Sequence, residues 1–238
     1  VQASVAAALP NFIGSDGFAM ELDEFRGKLN PIGAKGGVNS YRKSQQLRGI
    51  ALHTTGVSKK ESTWGSLALA TTAKRGVSHR TAWADFGWSD ALLDFWNNFS
   101  QDGKLEECTS ESDTPTAALA VSLTVPPAKE KIVEFIVAWH FPNRKAWGRS
   151  PGKIPATIGN YYTTLFKDAW QAAEHAAENW KKLEKQTVGF VRTITESSLP
   201  VEAQEAALFN LSTLRSQTCF RTPDGRFFGW EGSFDRQG

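Results

Sequence analysis

Phe141-Pro-Asn-Arg-Lys-Ala-Trp-Gly-Arg-Ser-Pro-Gly-Lys-Ile-Pro-Ala-Thr-Ile-Gly159 divides this chain into two kinds of pattern. Pro142, Pro151 and Pro155 alternate with Gly148, Gly152 and Gly159, and Arg144, Lys145, Arg149 and Lys153 have no acid among them. Proline removes a backbone donor and glycine costs conformational entropy, so the stretch reads as a linker or long surface loop over 143–159. Before it, apolar residues alternate as in strands; after it, they recur every three to four positions as on a helix face. The basic run around Trp147 also admits a phosphate or nucleic-acid patch, but four charges without a motif are ordinary loop chemistry.

Upstream, Val1-Gln-Ala-Ser-Val-Ala-Ala-Ala-Leu9, Gly49-Ile-Ala-Leu-His53, Ser66-Leu-Ala-Leu-Ala-Thr-Thr72 and Val77-Ser-His-Arg-Thr-Ala-Trp83 read as strands bounded by turn residues. Ala117-Ala-Leu-Ala-Val-Ser-Leu-Thr-Val125 and Lys131-Ile-Val-Glu-Phe-Ile-Val-Ala-Trp-His140 are the strongest pair. Pro126-Pro-Ala-Lys-Glu130 between them predicts an antiparallel hairpin. Such strands predict an antiparallel β-sandwich over 1–142. Neither βαβ alternation nor a Gly-rich phosphate loop is present, which argues against a dinucleotide-binding fold. One helix is expected at 89–99, capped by Ser89 and ended by Asp102-Gly103. Leu92, Phe95, Trp96 and Phe99 share one face of it, either packed on the sandwich or lining a ligand.

Downstream, Leu165, Phe166, Ala169, Trp170, Ala173, Ala177, Trp180 and Leu183 trace an apolar stripe, with Lys167, Glu174, Glu178, Lys181 and Lys185 off it. The pattern continues through Phe190, Val191 and Ile194, so one long helix or two abutting ones are expected within 160–196. Leu199-Pro-Val-Glu202 opens another helix, with proline and an acid suited to its first turn. Thr222-Pro-Asp-Gly225 predicts a tight turn between Cys219-Phe-Arg221 and Arg226-Phe-Phe228. Trp230-Glu-Gly232 follows that hairpin.

Composition narrows the function. With 238 residues, 40% hydrophobic and 22% charged, the chain is expected to be soluble and globular. A net charge of +2 gives no reason to expect nucleic acid or an anionic membrane as partner. Cys108, Cys219, His53, His79, His140 and His175 have no metal-ligand spacing, so neither metal nor cofactor is expected. His140, in Trp139-His-Phe-Pro142, reads as a hydrogen-bonded residue at a strand end rather than a catalytic base. Asn98-Phe-Ser100 and Asn210-Leu-Ser212 match glycosylation acceptors, but both fall in helical stretches and read as chance. No apolar run approaches the roughly 20 residues of a membrane span. A start at Val1 suggests a fragment or a processed chain; a cytoplasmic location is expected, with a removed secretory leader as the other reading. Nine Trp residues offer either buried core or stacking platforms for sugar rings.

The order of these pieces resembles glycoside hydrolase family 116, the non-lysosomal glucosylceramidase and β-glucosidase type. Leu9-Pro-Asn-Phe-Ile-Gly14, Gly33-Ala-Lys-Gly-Gly-Val38 and Ala138-Trp-His-Phe-Pro-Asn143 are similar to its N-terminal β domain. Gly159-Asn-Tyr-Tyr162, Leu199-Pro200 and Ala206-Ala-Leu-Phe-Asn-Leu-Ser-Thr-Leu214 are similar to the passage into its catalytic domain. The resemblance implies a β-sandwich followed by helices that begin an (α/α)6 barrel, with 160–238 holding a linker helix and the first elements of a truncated catalytic domain. It implies retaining hydrolysis of β-glucosides, a carbohydrate or glycolipid substrate, and the remainder of its own catalytic domain as partner. Glu231 inherits the nucleophile role through Trp230-Glu-Gly232, and Trp230 could wall the sugar pocket. The acid/base is an Asp expected beyond Gly238, so residues 1–238 alone are not expected to hydrolyse glycosides. Asp235, four residues on, reads either as a supporting partner behind Glu231 or as part of a flexible chain end. A retaining enzyme needs two carboxyl groups about 5–5.5 Å apart, one ionised and one protonated, which fits this division of roles. The alternative is a non-catalytic carbohydrate-binding or scaffold sandwich, which a row of exposed Trp on adjacent strands would favour. A third reading is another sandwich-plus-barrel enzyme, such as an inverting glycoside phosphorylase.

Overall fold

The computed structural model describes residues 1–15, 17, 20–23, 28–87, 90–145, 157–215 and 219–229. It divides into two compact units, Val1–Phe141 with Phe166–Ala177, and Pro142–Leu165 with Glu178–Gly238. Among the described residues every strand ladder is antiparallel.

The first unit holds β1 (Gln2–Pro10), β2 (Met20–Asp23), β3 (Lys28–Pro31), β4 (Gly37–Lys43), β5 (Arg48–Thr54), β6 (Ser66–Thr71), β7 (Val77–Arg80), β8 (Thr116–Thr124) and β9 (Phe135–His140). One sheet has the order β4-β5-β6-β9, a second β1-β8-β7, and β2-β3 is a separate ribbon. The two larger sheets meet where β5 and β6 lie against β8. Ile50, Leu52 and Leu67 from one sheet bury there against Ala117 of the other, with Ile13 from the loop after β1.

Each sheet is also covered on its other face. Successive side chains in a strand point to opposite faces, so Ala68 and Ala70 turn away from Leu67. They pack with Leu47 and Ala138 against Ala169, Trp170 and Ala173 at the start of a helix. On β8, Ala118 and Ala120 turn away from Ala117 and pack with Leu105, Phe95 and Phe99. Double cover makes β6 bury Leu67, Ala68, Leu69, Ala70 and Thr71 without interruption, and β8 does the same from Ala117 to Val121. Strands buried on both faces lose the apolar-polar alternation. Small alanines on the outer faces let helix backbones approach closely.

The hairpin expected between the two strongest strand signals does not form. β8 pairs with β1 and β7, whereas β9 pairs with β6, so the segment between them carries the chain from one sheet to the other. An apolar run identifies a strand but not its neighbour. A strand buried on both faces needs partners on both edges, and β1 and β7 supply them.

α1 (Asp90–Asp102) ends as expected, with Gly103 at φ +74° and its N–H donated to Phe99 O at 2.8 Å. Ser89, the expected cap, lies outside the described residues. Its aromatic face splits in two. Phe95 stacks on Trp83 at 4.9 Å and packs with Phe99 on the sheet, while Leu92 and Trp96 are exposed. Arg80, buried at the end of β7, donates to Asp94 Oδ2 at 2.6 Å and to Glu106 O at 3.0 Å, which ties α1 to its sheet.

α2 (Ala169–Thr195) is one helix of 27 residues, beginning well after position 160. A single 3-10 turn, Tyr161–Thr164, precedes it. Asp168 Oδ1 accepts the Gln171 N–H at 2.7 Å, and Gln171 Oε1 accepts the Lys167 N–H at 2.7 Å. Asp168 thus caps the first turn, and Gln171 ties back the residue before the cap. Ser66 Oγ accepts the Ala169 N–H at 3.0 Å, and the Arg42 guanidinium lies 5.0 Å over the Trp170 ring.

Candidate active site

The residue expected to act on substrate, Glu231, lies outside the described residues, as do Trp230 and Asp235. What is described is the support immediately before them in the chain, within the second unit. α3 (Val201–Asn210) and a 3-10 turn (Leu211–Arg215) precede β10 (Cys219–Arg221) and β11 (Phe227–Gly229), which form the expected hairpin. The Gly225 N–H is donated to Thr222 O at 2.8 Å, with Gly225 at φ +87°, so glycine sits where the turn requires a left-handed residue. Thr222 Oγ1 donates to Asp224 Oδ1 at 2.5 Å, and the Arg226 guanidinium pairs with Asp224 Oδ2 at 2.7 Å. The Thr222 hydroxyl first, then the Arg226 backbone N–H, hold the Asp224 carboxyl below its ordinary range.

Aromatic and guanidinium groups alternate across this hairpin. Phe220 and Phe228 stack at 5.4 Å on one face of the ladder. Arg144 reaches from the start of the linker and lays its guanidinium 4.2 Å over Phe220. Arg221 reaches the other way, 3.8 Å over Tyr161, and its Nε donates to Gly225 O at 2.9 Å. Burial pushes the Arg144 guanidinium below its ordinary value, and among the described residues no carboxylate is paired with it. Gly159 has φ +73°, and a Cβ there would meet Pro223 Cγ at 2.9 Å, so the linker's end and the turn approach as only glycine allows. The separate residues were each visible in sequence, but nothing in their spacing marked Arg144 with Phe220, or Arg221 with Tyr161, as partners. The one available signal was the alternation Phe220-Arg221 and Arg226-Phe-Phe228.

In the first unit, His140 is buried and its Nε2 lies 2.7 Å from Phe166 O. A carbonyl only accepts, so Nε2 carries the proton; the residue is a structural donor at a strand end, as expected. Trp170 is 2% exposed, Trp64 and Trp83 are half-buried, and Trp96, Trp139 and Trp180 are exposed on α1, β9 and α2. Among the described tryptophans none forms a row on adjacent strands, the arrangement a sugar-binding sandwich would present. Among the described residues no three His, Cys, Asp or Glu side chains gather as metal ligands would, and no helix is long and apolar enough to cross a membrane.

Two of the phrases that resemble family 116 meet in space. Asn11, buried after β1, donates from Nδ2 to Asn39 Oδ1 at 3.0 Å and to His53 O at 2.8 Å. Asn39 in turn donates to Thr81 O and Pro115 O at 2.8 and 2.9 Å. Gly14 and Gly33, both at positive φ, approach so closely that a Cβ on Gly33 would lie 2.6 Å from Gly14 O. The phrases therefore build the junction that fastens the edge strands β1 and β4 of the two sheets.

Residues 1–183 match a family model of glycoside hydrolases, described as beta-glucosidase 2, glycosyl-hydrolase family 116, N-terminal region. The chain belongs to glycosyl-hydrolase family 116. No curated protein matches it in sequence. The match ends before α3, so the hairpin and Trp230-Glu-Gly232 lie outside the matched residues.

Proposed function

We propose that this chain is the amino-terminal part of a retaining hydrolase of β-glucosides, with Glu231 as the nucleophile and Trp230 walling the sugar pocket. Glucosylceramide-type glycolipids are the finer substrate class. The family match over residues 1–183 carries the reading. In this proposal 1–142 is a β-sandwich domain, 143–159 a linker, and 160–238 a linker helix with the opening elements of an (α/α)6 catalytic domain. Glu231 attacks the anomeric carbon from the face opposite the aglycone, and a carboxylic acid elsewhere in the complete protein protonates the leaving oxygen. The glycosyl-enzyme ester is then hydrolysed by water activated by that same second carboxyl group. Supporting the assignment is the hairpin of β10 and β11, whose last residue, Gly229, directly precedes Trp230 and Glu231 in the chain.

The test uses the complete protein. Glu231→Gln should lose most turnover of an aryl β-glucoside, because an amide does not form the ester. In Glu231→Ala, added azide should restore part of the rate and release α-glucosyl azide, since the small anion enters from the vacated side. Wild-type turnover in Glu231→Gln would remove Glu231 from the mechanism.

A further inference from the structure

The two large sheets end in four edge strands, β4 and β9 in one, β1 and β7 in the other. β7 lies toward β4, because His79 stacks on Tyr41, and β1 therefore lies toward β9. The side of β4 and β7 is closed. Glu107 Oε1 accepts the Thr81 N–H at 3.0 Å, Glu107 Oε2 meets His79 Nε2 at 3.2 Å, and Asp113 O accepts the Gly37 N–H at 3.1 Å. The side of β1 and β9 is open, since among the described residues no strand pairs with the outer edge of either. Charged side chains are a common guard on a free edge. β4 ends in Arg42-Lys43, whereas β1 and β9 contain no Lys, Arg, Asp or Glu. In the ladder of β6 with β9, Leu67 stands opposite Trp139 and Leu69 opposite Val137, so these β9 side chains face inward, between the sheets. Leu67 and Leu69 are buried there, but Val137 and Trp139 are at least half exposed. The core between the sheets thus runs on past β6 as an uncovered apolar shelf.

We propose that a second copy of this chain covers the shelf, the two β9 strands pairing antiparallel about a two-fold axis at Val137. An uncharged edge meets itself without opposing like charges, and β9 is also complementary to its own reverse. With Val137 on the axis, Phe135 stands opposite the partner's Trp139, and Ile136 stands opposite the partner's Ala138. Aromatic and β-branched residues make the favourable cross-strand pairs. Phe135, Val137 and Trp139 of both copies then share the inner face and continue the buried surface that Leu67 and Leu69 begin. The main-chain ladder continues as well, joining two four-stranded sheets into one. The same patch serves both copies, so the contact is isologous and closes at a dimer.

Sedimentation and native mass spectrometry of the complete protein should show a dimer that dissociates on dilution. Val137→Lys puts two like charges on the axis and should give a folded monomer, as should Val137→Glu. An equimolar mixture of the two variants should recover a dimer with one copy of each, because opposite charges then meet. Hydrogen exchange, which needs no substitution, should find the amides of 135–139 protected at high concentration and exchanging faster on dilution. A dimer that persists in both charge variants would place the contact elsewhere and overturn the proposal. A monomeric wild type overturns it too: protected β9 amides would then mean that the protein's own polypeptide covers the strand, and unprotected ones that the edge stays open. Folded variants that stay monomeric when mixed would remove Val137 from the axis. Should the variants not fold, the exchange at 135–139 decides, and protection independent of concentration counts against the dimer.

Discussion

At the scale of single residues, charge and burial meet most plainly at His79 on β7. Its ring stacks on Tyr41 at 4.0 Å, and its Nε2 lies 3.2 Å from Glu107 Oε2. Burial disfavours the imidazolium and lowers the pKa, and the Glu107 carboxylate offsets this only in part. The folded state therefore takes up its proton at lower pH than the unfolded chain, whose histidine titrates near 6.5. Between those two values the unfolded state binds more protons, so stability rises with pH across that window and is fully present above it. As pH falls below about 6.5, stability should decline. Urea denaturation from pH 7 to 5 should show a steeper decline in the wild type than in His79→Gln; equal slopes would mean that His79 is not the group responsible. None of this was legible from His79 in sequence, where it stands in a plain strand pattern. Tyr41 and Glu107, far away in the chain, supply the environment. The same holds for Arg80, whose partner Asp94 lies on α1.

Elements show where periodicity succeeds and where it stops. The apolar stripe of α2 has the same spacing at Trp170 and Ala173 as at Trp180 and Leu183, yet Trp170 is 2% exposed and Trp180 is 53% exposed. Spacing states which residues share a face; it does not state how far along the helix that face is covered. Trp170→Ala should cost about 3–5 kcal/mol, because it opens a cavity against Leu47, Ala68, Ala70 and Ala138. Trp180→Ala should change stability by less than about 1 kcal/mol. Chemical denaturation of the two variants compares them directly, and equal losses would contradict this account of the cover. The hairpin of β10 and β11 was legible because Thr222-Pro-Asp-Gly225 carries its own turn chemistry. The pairing of β8 was not, because its neighbours are chosen by the double-sided burial of the sheet. For the candidate site the limit is the same: Trp230-Glu-Gly232 can be read as a motif, whereas the grip of Arg144 and Tyr161 on the hairpin joins residues that no local spacing connects.

For the whole molecule, the compact unit of both sheets is not one continuous stretch of chain. It takes Val1–Phe141 and then Phe166–Ala177, leaving out what lies between. The reason is the outer face of the four-stranded sheet, where Leu47, Ala68, Ala70 and Ala138 are covered by Ala169, Trp170 and Ala173. Without that cover the alanine-rich face would stand open to water, and apolar burial stabilises by roughly 25 cal/mol for each Å² removed from solvent. The family match also runs to residue 183, past the covering residues at the start of α2 and not only to the end of β9. A piece comprising 1–183 should therefore unfold in one cooperative thermal transition, with far-ultraviolet dichroism and tryptophan fluorescence changing together. A piece comprising 1–145 should bind a hydrophobic dye such as ANS, lose cooperativity and aggregate, because its strands form against an uncovered face. Adding a synthetic peptide of residues 164–183 to that shorter piece should reduce dye binding if the missing cover is the cause. A sharp, dye-free transition in 1–145 would instead mean that the two sheets suffice and that the start of α2 is only a passenger on them.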